Sequence, residues 1–338
     1  MCQTSVSFVS GKRFFLRVGI AFLLVVLGSM FVTGAENTDD ARRAAQLVRD
    51  YRDGLVLIEG QAGEGSGFIV RIKERICLLS NAHVVAGIKN PVFKLLDRTP
   101  VKVGAGSVAV GHDIFALSVV AGGTPIPKVD SVDKETAIGD PVVVLGNAEG
   151  AGVINTLTGK LVGIGPDRIE VDAPFVPGNS GSPIIHLPSG KVIGIATYLI
   201  MKRTGPKEEV VRRFGYRLDS VTQWQLIEWN RFFAESDAVK GVEKTTHELI
   251  QLLGGFGRDA AAFPYETPAI RNALAKFTAS GRRPKDLEGF LTALRSTCVG
   301  DVRRAEGLLT YDFFKRQLAT ERSERESIAS SLDKAIKN

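Results

Sequence analysis

The sequence predicts an all-β region, a sandwich or a pair of barrels, followed by a small α-helical region. Between residues 52 and 200 short Val/Ile/Leu-rich runs recur at close spacing, separated by Gly, Asp, Asn and Pro clusters, and no long helical period intervenes. Beyond Lys240 the β pattern disappears and capped, apolar-periodic stretches replace it. The 338 residues leave room for about two domains, each of roughly 100 to 200 residues, and 44% hydrophobic with 24% charged residues is the composition of a chain that buries real cores.

The first element is a leader. Lys12, Arg13 and Arg17 flank the start of an uncharged apolar stretch from Val18 to Ala35, with small residues Thr33, Gly34 and Ala35 before Glu36. A basic segment, an apolar segment and a small-residue end describe an export signal cut after Ala35. At 18 residues the stretch is close to bilayer length, so residues 14–35 also stand open as an uncleaved membrane anchor. Either way residues 1–35 place the bulk of the protein outside the cytoplasm, periplasmic or secreted. Residues 36–51 read as a short lead-in helix begun at Asp39 or Asp40.

Strands are expected over Leu55–Ile58, Gly67–Ile72, Ile76–Ser80, Val142–Leu145, Leu161–Ile164, Arg168–Val171 and Lys191–Tyr198. Residues 201–213 (MKRTGPKEEVVRR) read as a charged loop, and its Lys202, Arg203 and Lys207 as a basic feature that could meet substrate away from the cleaved bond. A helix capped at Asp219 or Ser220 and running to Ala234, striped by Leu226, Trp229 and Phe233, is expected to dock on the β region. Thr245 to Glu248 forms a capping box ahead of Leu249, Ile250, Leu252 and Leu253, with a stop at Gly254-Gly255. Thr267-Pro268 begins another helix, and Asp286–Thr297 and Asp301–Leu318 continue the pattern. Residues 321–338 read as a solvated or frayed helix. The expected division is a β domain over 52–235 and a helical region of unassigned role over 236–338, available to a protein partner.

Lys and Arg number 43 against 37 Asp and Glu, and three of those cations lie in the leader. That balance, with no zinc-finger spacing, phosphate-binding loop or RNA-binding aromatic pattern, argues against a nucleic-acid partner. Four dispersed histidines, at 83, 112, 186 and 247, and the cysteines Cys77 and Cys298 give no metal-ligand spacing, so neither metal nor cofactor is expected. Cys77, in the run Ile76-Cys77-Leu78-Leu79, reads as a buried small hydrophobe, and no bridge to Cys298 is expected.

Three stretches carry chemistry: Ser80-Asn81-Ala82-His83-Val84-Val85, His112-Asp113-Ile114-Phe115-Ala116-Leu117 and Pro177-Gly178-Asn179-Ser180-Gly181-Ser182-Pro183. Amide hydrolysis by a serine needs an imidazole to take the hydroxyl proton and a carboxylate to hold the imidazole in the right tautomer. His83, Asp113 and Ser180 supply those groups. Glycines around Ser180 let the backbone N–H groups of Gly178 and Ser180 converge on the oxyanion that attack creates. Asp130 and Asp133 are rival acids, set in a polar connection rather than before an apolar run. His112 adjoins Asp113 but alternation turns it to the other side of an extended chain.

These blocks, with Gly65-Ser66-Gly67-Phe68-Ile69-Val70 ahead of them, resemble the trypsin-like serine peptidases over residues 52–235, nearest the bacterial high-temperature-requirement and glutamyl-endopeptidase types. The resemblance implies a chymotrypsin-like double barrel of two perpendicular six-stranded barrels, with His83 and Asp113 on the first and Ser180 on the second. It implies a primary pocket lined by Pro174 and by Ile195, Ala196 and Thr197, and hydrolysis of polypeptides through an acyl-enzyme. Ser182 replaces a common second glycine, and Phe115 precedes the expected alanine. Residues 236–338 lack the glycine-rich carboxylate-binding loop of a PDZ domain. Pro174 stands where cleavage after Lys or Arg needs an acid, and Ala196 where glutamyl endopeptidases place a histidine, so cleavage after small or medium aliphatic residues is expected. Two other readings stay open: a catalytically silent binding protein on the same fold, and an anchored protease regulated by its helical region.

Overall fold

The computed structural model describes residues 38–61, 63–147, 154–203, 209–254 and 263–337. The leader and Lys207 lie outside the described residues, as do the side chains of Lys202 and Arg203. Contacts divide the chain into two units, Met1–Ile227 and Glu228–Asn338.

The first unit opens with helix α1 (Thr38–Tyr51), with Asp39 and Asp40 in its first turn as the sequence suggests. Its Ala44 and Leu47 are buried in the β core, and Tyr51 donates its hydroxyl to the Gly190 carbonyl at 2.6 Å. The first sheet contains β1 (Leu55–Gly60), β2 (Gly63–Ile72), β3 (Arg75–Ser80), β4 (Val92–Leu95), β5 (Lys102–Ala109), β6 (Phe115–Ala121) and β13 (Trp224–Leu226), in the order β13-β5-β6-β3-β2-β1-β4. The short helix α2 (Ala82–Gly87) follows β3, and α3 (Val132–Glu135) precedes the second sheet. That second sheet closes into a six-stranded barrel in the order β10-β11-β12-β9-β8-β7, from β7 (Pro141–Gly146), β8 (Asn155–Ile164), β9 (Arg168–Val171), β10 (Pro183–His186), β11 (Lys191–Arg203) and β12 (Glu209–Arg217).

One core joins the two sheets. Phe68 and Leu79 of the first pack in the same cluster as Val143, Leu145, Ile185 and Ile195 of the second. A strap from Ile126 to Val129 stitches them further: the Ile126 N–H reaches the Ile69 carbonyl at 2.7 Å, while on the barrel side the Val129 N–H donates to the Val192 carbonyl at 3.0 Å and the Val192 N–H to the Pro127 carbonyl at 2.8 Å.

The structure corrects several expectations. The first sheet has seven strands and is not closed. Strand β13 lies along one end of β5 through the pairs Trp224↔Ala109 and Leu226↔Ser107, which leaves β13 and β4 as the two outer strands. The expected helix from Asp219 is thus a turn and a strand, and Leu226 is 73% exposed rather than part of a stripe. The charged stretch 201–213 is β-hairpin up to Arg203 and again from Glu209. Its charges are compatible with strands because Arg212 makes a two-pronged ion pair with Glu170, at 2.7 and 2.6 Å, and lies over the Phe214 ring.

The second unit holds four helices, α4 (Trp229–Gly254), α5 (Pro268–Ala279), α6 (Pro284–Glu306) and α7 (Asp312–Lys337). α4 runs unbroken through the supposed capping box. Thr245 bonds back to the Gly241 carbonyl at 2.9 Å, and the Glu248 carboxylate instead accepts the N–H groups of Glu266 and Thr267, both at 3.0 Å, ahead of α5. The buried stripe of α4 runs through Phe232, Val239, Val242, Leu249 and Leu252, one residue off the Trp229–Phe233 line. α6 continues past Thr297 to Glu306. The last stretch is not a solvated helix: Arg325 and Leu332 are buried, and Arg325 is held by Asp301, Thr246 and the Val242 carbonyl.

Candidate active site

His83 stands in the first turns of α2, directly after β3, and Asp113 sits in the β5–β6 hairpin loop, which Gly111 turns with a φ of +80°. The pairing of β3 with β6, Ser80↔Phe115, brings the two chain segments side by side. His83 Nδ1 and Asp113 Oδ2 are 2.5 Å apart, and the backbone N–H of His83 donates to Asp113 Oδ1 at 3.0 Å. One carboxylate therefore fixes both the ring and the main chain of the histidine. Asp113 is 3% exposed. Burial disfavours the charged imidazolium, but the charge and hydrogen bond of Asp113 together outweigh it and hold the His83 pKa above its ordinary 6.5.

Ser180 comes from the loop between β9 and β10. Two tight turns shape it: the Asn179 side chain accepts the Val176 N–H and its backbone N–H returns to the Val176 carbonyl, both at 3.0 Å. Gly178 has φ +101° and Gly181 φ +88°, and a Cβ on Gly181 would stand 2.1 Å from the Ser66 carbonyl oxygen. Among the described residues the N–H groups of Gly178 and Ser180 have no protein acceptor. Ser180 Oγ donates to the Thr197 carbonyl at 3.2 Å, and no hydrogen bond joins it to His83.

The remaining expected residues fall differently. Pro174 is exposed, whereas Ile195 and Ala196 are wholly buried in the core, so their side chains present no surface to a ligand in this structure. Thr197 is 4% exposed, at a β-bulge where β11 shifts register against β12. Its hydroxyl faces Asn81 rather than the cleft. Asp172 accepts the Lys160 N–H at 2.5 Å. The rival acids are spoken for or remote: Asp133 pairs with Arg217 at 2.6 Å, and the Asp130 side chain is 98% exposed with Lys128 at 3.8 Å. His112 turns away from His83, to the Val110 carbonyl and Ser220, and His186 lies between Asp140 and Ser189. Cys77 and Cys298 are free and buried, and no cluster of metal-ligating side chains occurs among the described residues.

Residues 65–195 match the family described as a trypsin-like peptidase domain. The chain carries a trypsin-like peptidase domain. Similar proteins include one of Synechocystis named as the serine protease HhoA, 32% identical over 156 residues, 43% of this chain and 39% of that one. Another, of Hahella chejuensis, is named as a DegP-like periplasmic serine endoprotease, 30% identical over 42% of this chain and 31% of that one. The chain thus spans about a third to two fifths of the length of these relatives. A solved serine endoprotease from Yersinia pestis is 21% identical, with a TM-score of 0.41, over 52% of this chain and 62% of that one. The peptidase domain match takes in His83, Asp113 and Ser180. Asn81, which sequence reasoning passed over as a neighbour of His83, is fully buried among them. A carboxamide two residues after the apolar run Leu78-Leu79 and two before the histidine is the available signal.

Proposed function

We propose that the protein is an exported serine endopeptidase that hydrolyses polypeptides through an acyl-enzyme, with Ser180 as nucleophile, His83 as general base and Asp113 holding the imidazole. The observation that carries this reading is the double grip of one buried carboxylate on the ring and backbone of His83. It leaves Nε2 as the basic nitrogen. Rotation about the Ser180 Cα–Cβ bond, a change between staggered rotamers, releases Oγ from Thr197 and frees its proton for that nitrogen. The unpartnered N–H groups of Gly178 and Ser180 are the donors for the oxyanion.

Peptide-bond cleavage after small or medium aliphatic residues remains the specificity we propose. Support comes from Pro174 standing where an acid would receive a Lys or Arg side chain, and from Glu170, whose carboxylate is taken by Arg212. Export is supported by the leader pattern and by the DegP-like relatives named periplasmic. Among the described residues no helix is long and apolar enough to cross a membrane.

A second reading, a binding protein with an inert site, draws on the Ser180–Thr197 bond, which holds the hydroxyl away from the base. Labelling with a fluorophosphonate separates the two. Covalent modification of Ser180, lost in Ser180→Ala, supports the peptidase; a purified protein that takes up no label and cleaves no peptide is the silent form.

A further inference from the structure

Asn81 occupies the N-terminal cap of α2, yet its side chain makes no capping bond. Asparagine at that position ordinarily satisfies a free N–H of the first helical turn, so its carboxamide is committed elsewhere. Asn81 Nδ2 donates to the Asp113 carbonyl oxygen at 2.7 Å and to Thr197 Oγ1 at 3.0 Å. The direction of both bonds is fixed by their partners. A carbonyl can only accept, and the Thr197 hydroxyl spends its proton on the Ile195 carbonyl at 2.9 Å, so it too must accept from Asn81. Both hydrogens of the amide nitrogen are therefore used, one toward each sheet. Asn81 is 0% exposed, where a donor has no solvent to turn to.

The consequence is a chain of contacts through the whole site. Asp113 is gripped at its carbonyl by Asn81 and at its carboxylate by His83, two residues later. Thr197 is gripped at its hydroxyl by Asn81, and its carbonyl holds Ser180 Oγ. Thr197 is the residue at which the β11–β12 register shifts, and a bulge re-aims a side chain where a regular strand would not. Here it lets one residue face Asn81 with its side chain and Ser180 with its carbonyl. We infer that Asn81 is a positioning residue, setting the His83–Asp113 pair on the first sheet in register with Ser180 on the barrel through Thr197. This rests on the reading of the site as a serine peptidase centre.

The test is a cycle of Asn81→Ala, Thr197→Val and the double variant, with Thr197→Ser as the conservative control. Each is read by melting temperature, kcat and KM on a peptide, fluorophosphonate labelling rate, and the midpoint of the acid limb of kcat/KM. Misplacing reacting groups by about 1 Å costs roughly 10²-fold, so each single variant should lose kcat on that order with KM little changed. The double variant should be no worse than the poorer single one, because both break the same link. Thr197→Ser keeps the hydroxyl and should recover most of the loss. The acid-limb midpoint of Asn81→Ala should fall toward 6.5 as Asp113 loosens. A folded Asn81→Ala with unchanged kcat and midpoint, or losses that multiply in the double variant, would overturn the inference. If Asn81→Ala does not fold, Thr197→Val decides: activity equal to Thr197→Ser overturns it. A wild-type protein that takes no label overturns the peptidase reading instead.

Discussion

A serine hydroxyl attacks an amide only when a base takes its proton, and Ser180→Ala removes that hydroxyl alone from a half-buried loop position. Turnover should fall on the order of 10⁶-fold with melting temperature unchanged, and substantial hydrolysis by the purified variant would refute the assignment. The pH dependence follows from Asp113. It stabilises protonated His83, whose pKa therefore lies above 6.5. That contribution to stability is present below about 6.5 and fades as pH rises through the raised value. Activity should run the other way, since in the proposed mechanism the neutral ring is the base, so kcat/KM should climb with a midpoint above 6.5. In Asp113→Asn the midpoint should drop and the rate should fall about 10⁴-fold near neutrality, measured on the same peptide. If that variant stays active while Asp133→Asn does not, the acid has been misassigned.

Among the elements, α1 is the one whose role is least visible in isolation. Its sequence is amphipathic, but which surface it covers is decided by Leu47, 1% exposed in the β core, and by Tyr51 on the Gly190 carbonyl. Leu47→Ala should cost about 2 to 5 kcal/mol in the unfolding of the peptidase domain, read by urea titration. A change under 0.5 kcal/mol would mean that the helix is not part of that cooperative unit. The hairpin β11–β12 teaches the opposite lesson. Composition marks 201–213 as loop, yet partners such as Glu170 on β9 for Arg212 and the Phe175 carbonyl in the following loop for Arg213 make charged residues acceptable in strands.

For the whole molecule, the division between Ile227 and Glu228 assigns α4 entirely to the helical unit, through Phe232 against Phe314 and through Glu235, which accepts the N–H groups of Thr310 and Tyr311. Among the described residues Arg325 is the buried cation of that unit, 2% exposed and 2.8 Å from Asp301. Removing it leaves Asp301 without its partner, so Arg325→Ala should destabilise residues 229–337 by about 3 to 5 kcal/mol. Hydrogen exchange of α4, α6 and α7 amides would report this, and unchanged protection there would contradict it.

The β character of residues 52–200, the order His83, Asp113, Ser180 and the glycine-rich turn around Ser180 are all legible in the sequence, because each is written in local residue types and spacing. Helix ends, the open first sheet and the burial of Ile195 and Ala196 are not, because each depends on a partner far along the chain: Trp224 for the edge of β5, Glu248 for the start of α5, the barrel interior for Ala196. The role of Asn81 belongs to the same class. Its residue type announces a hydrogen-bonding side chain, but only the tertiary fold brings Asp113 and Thr197, from two different sheets, within reach of its two N–H groups.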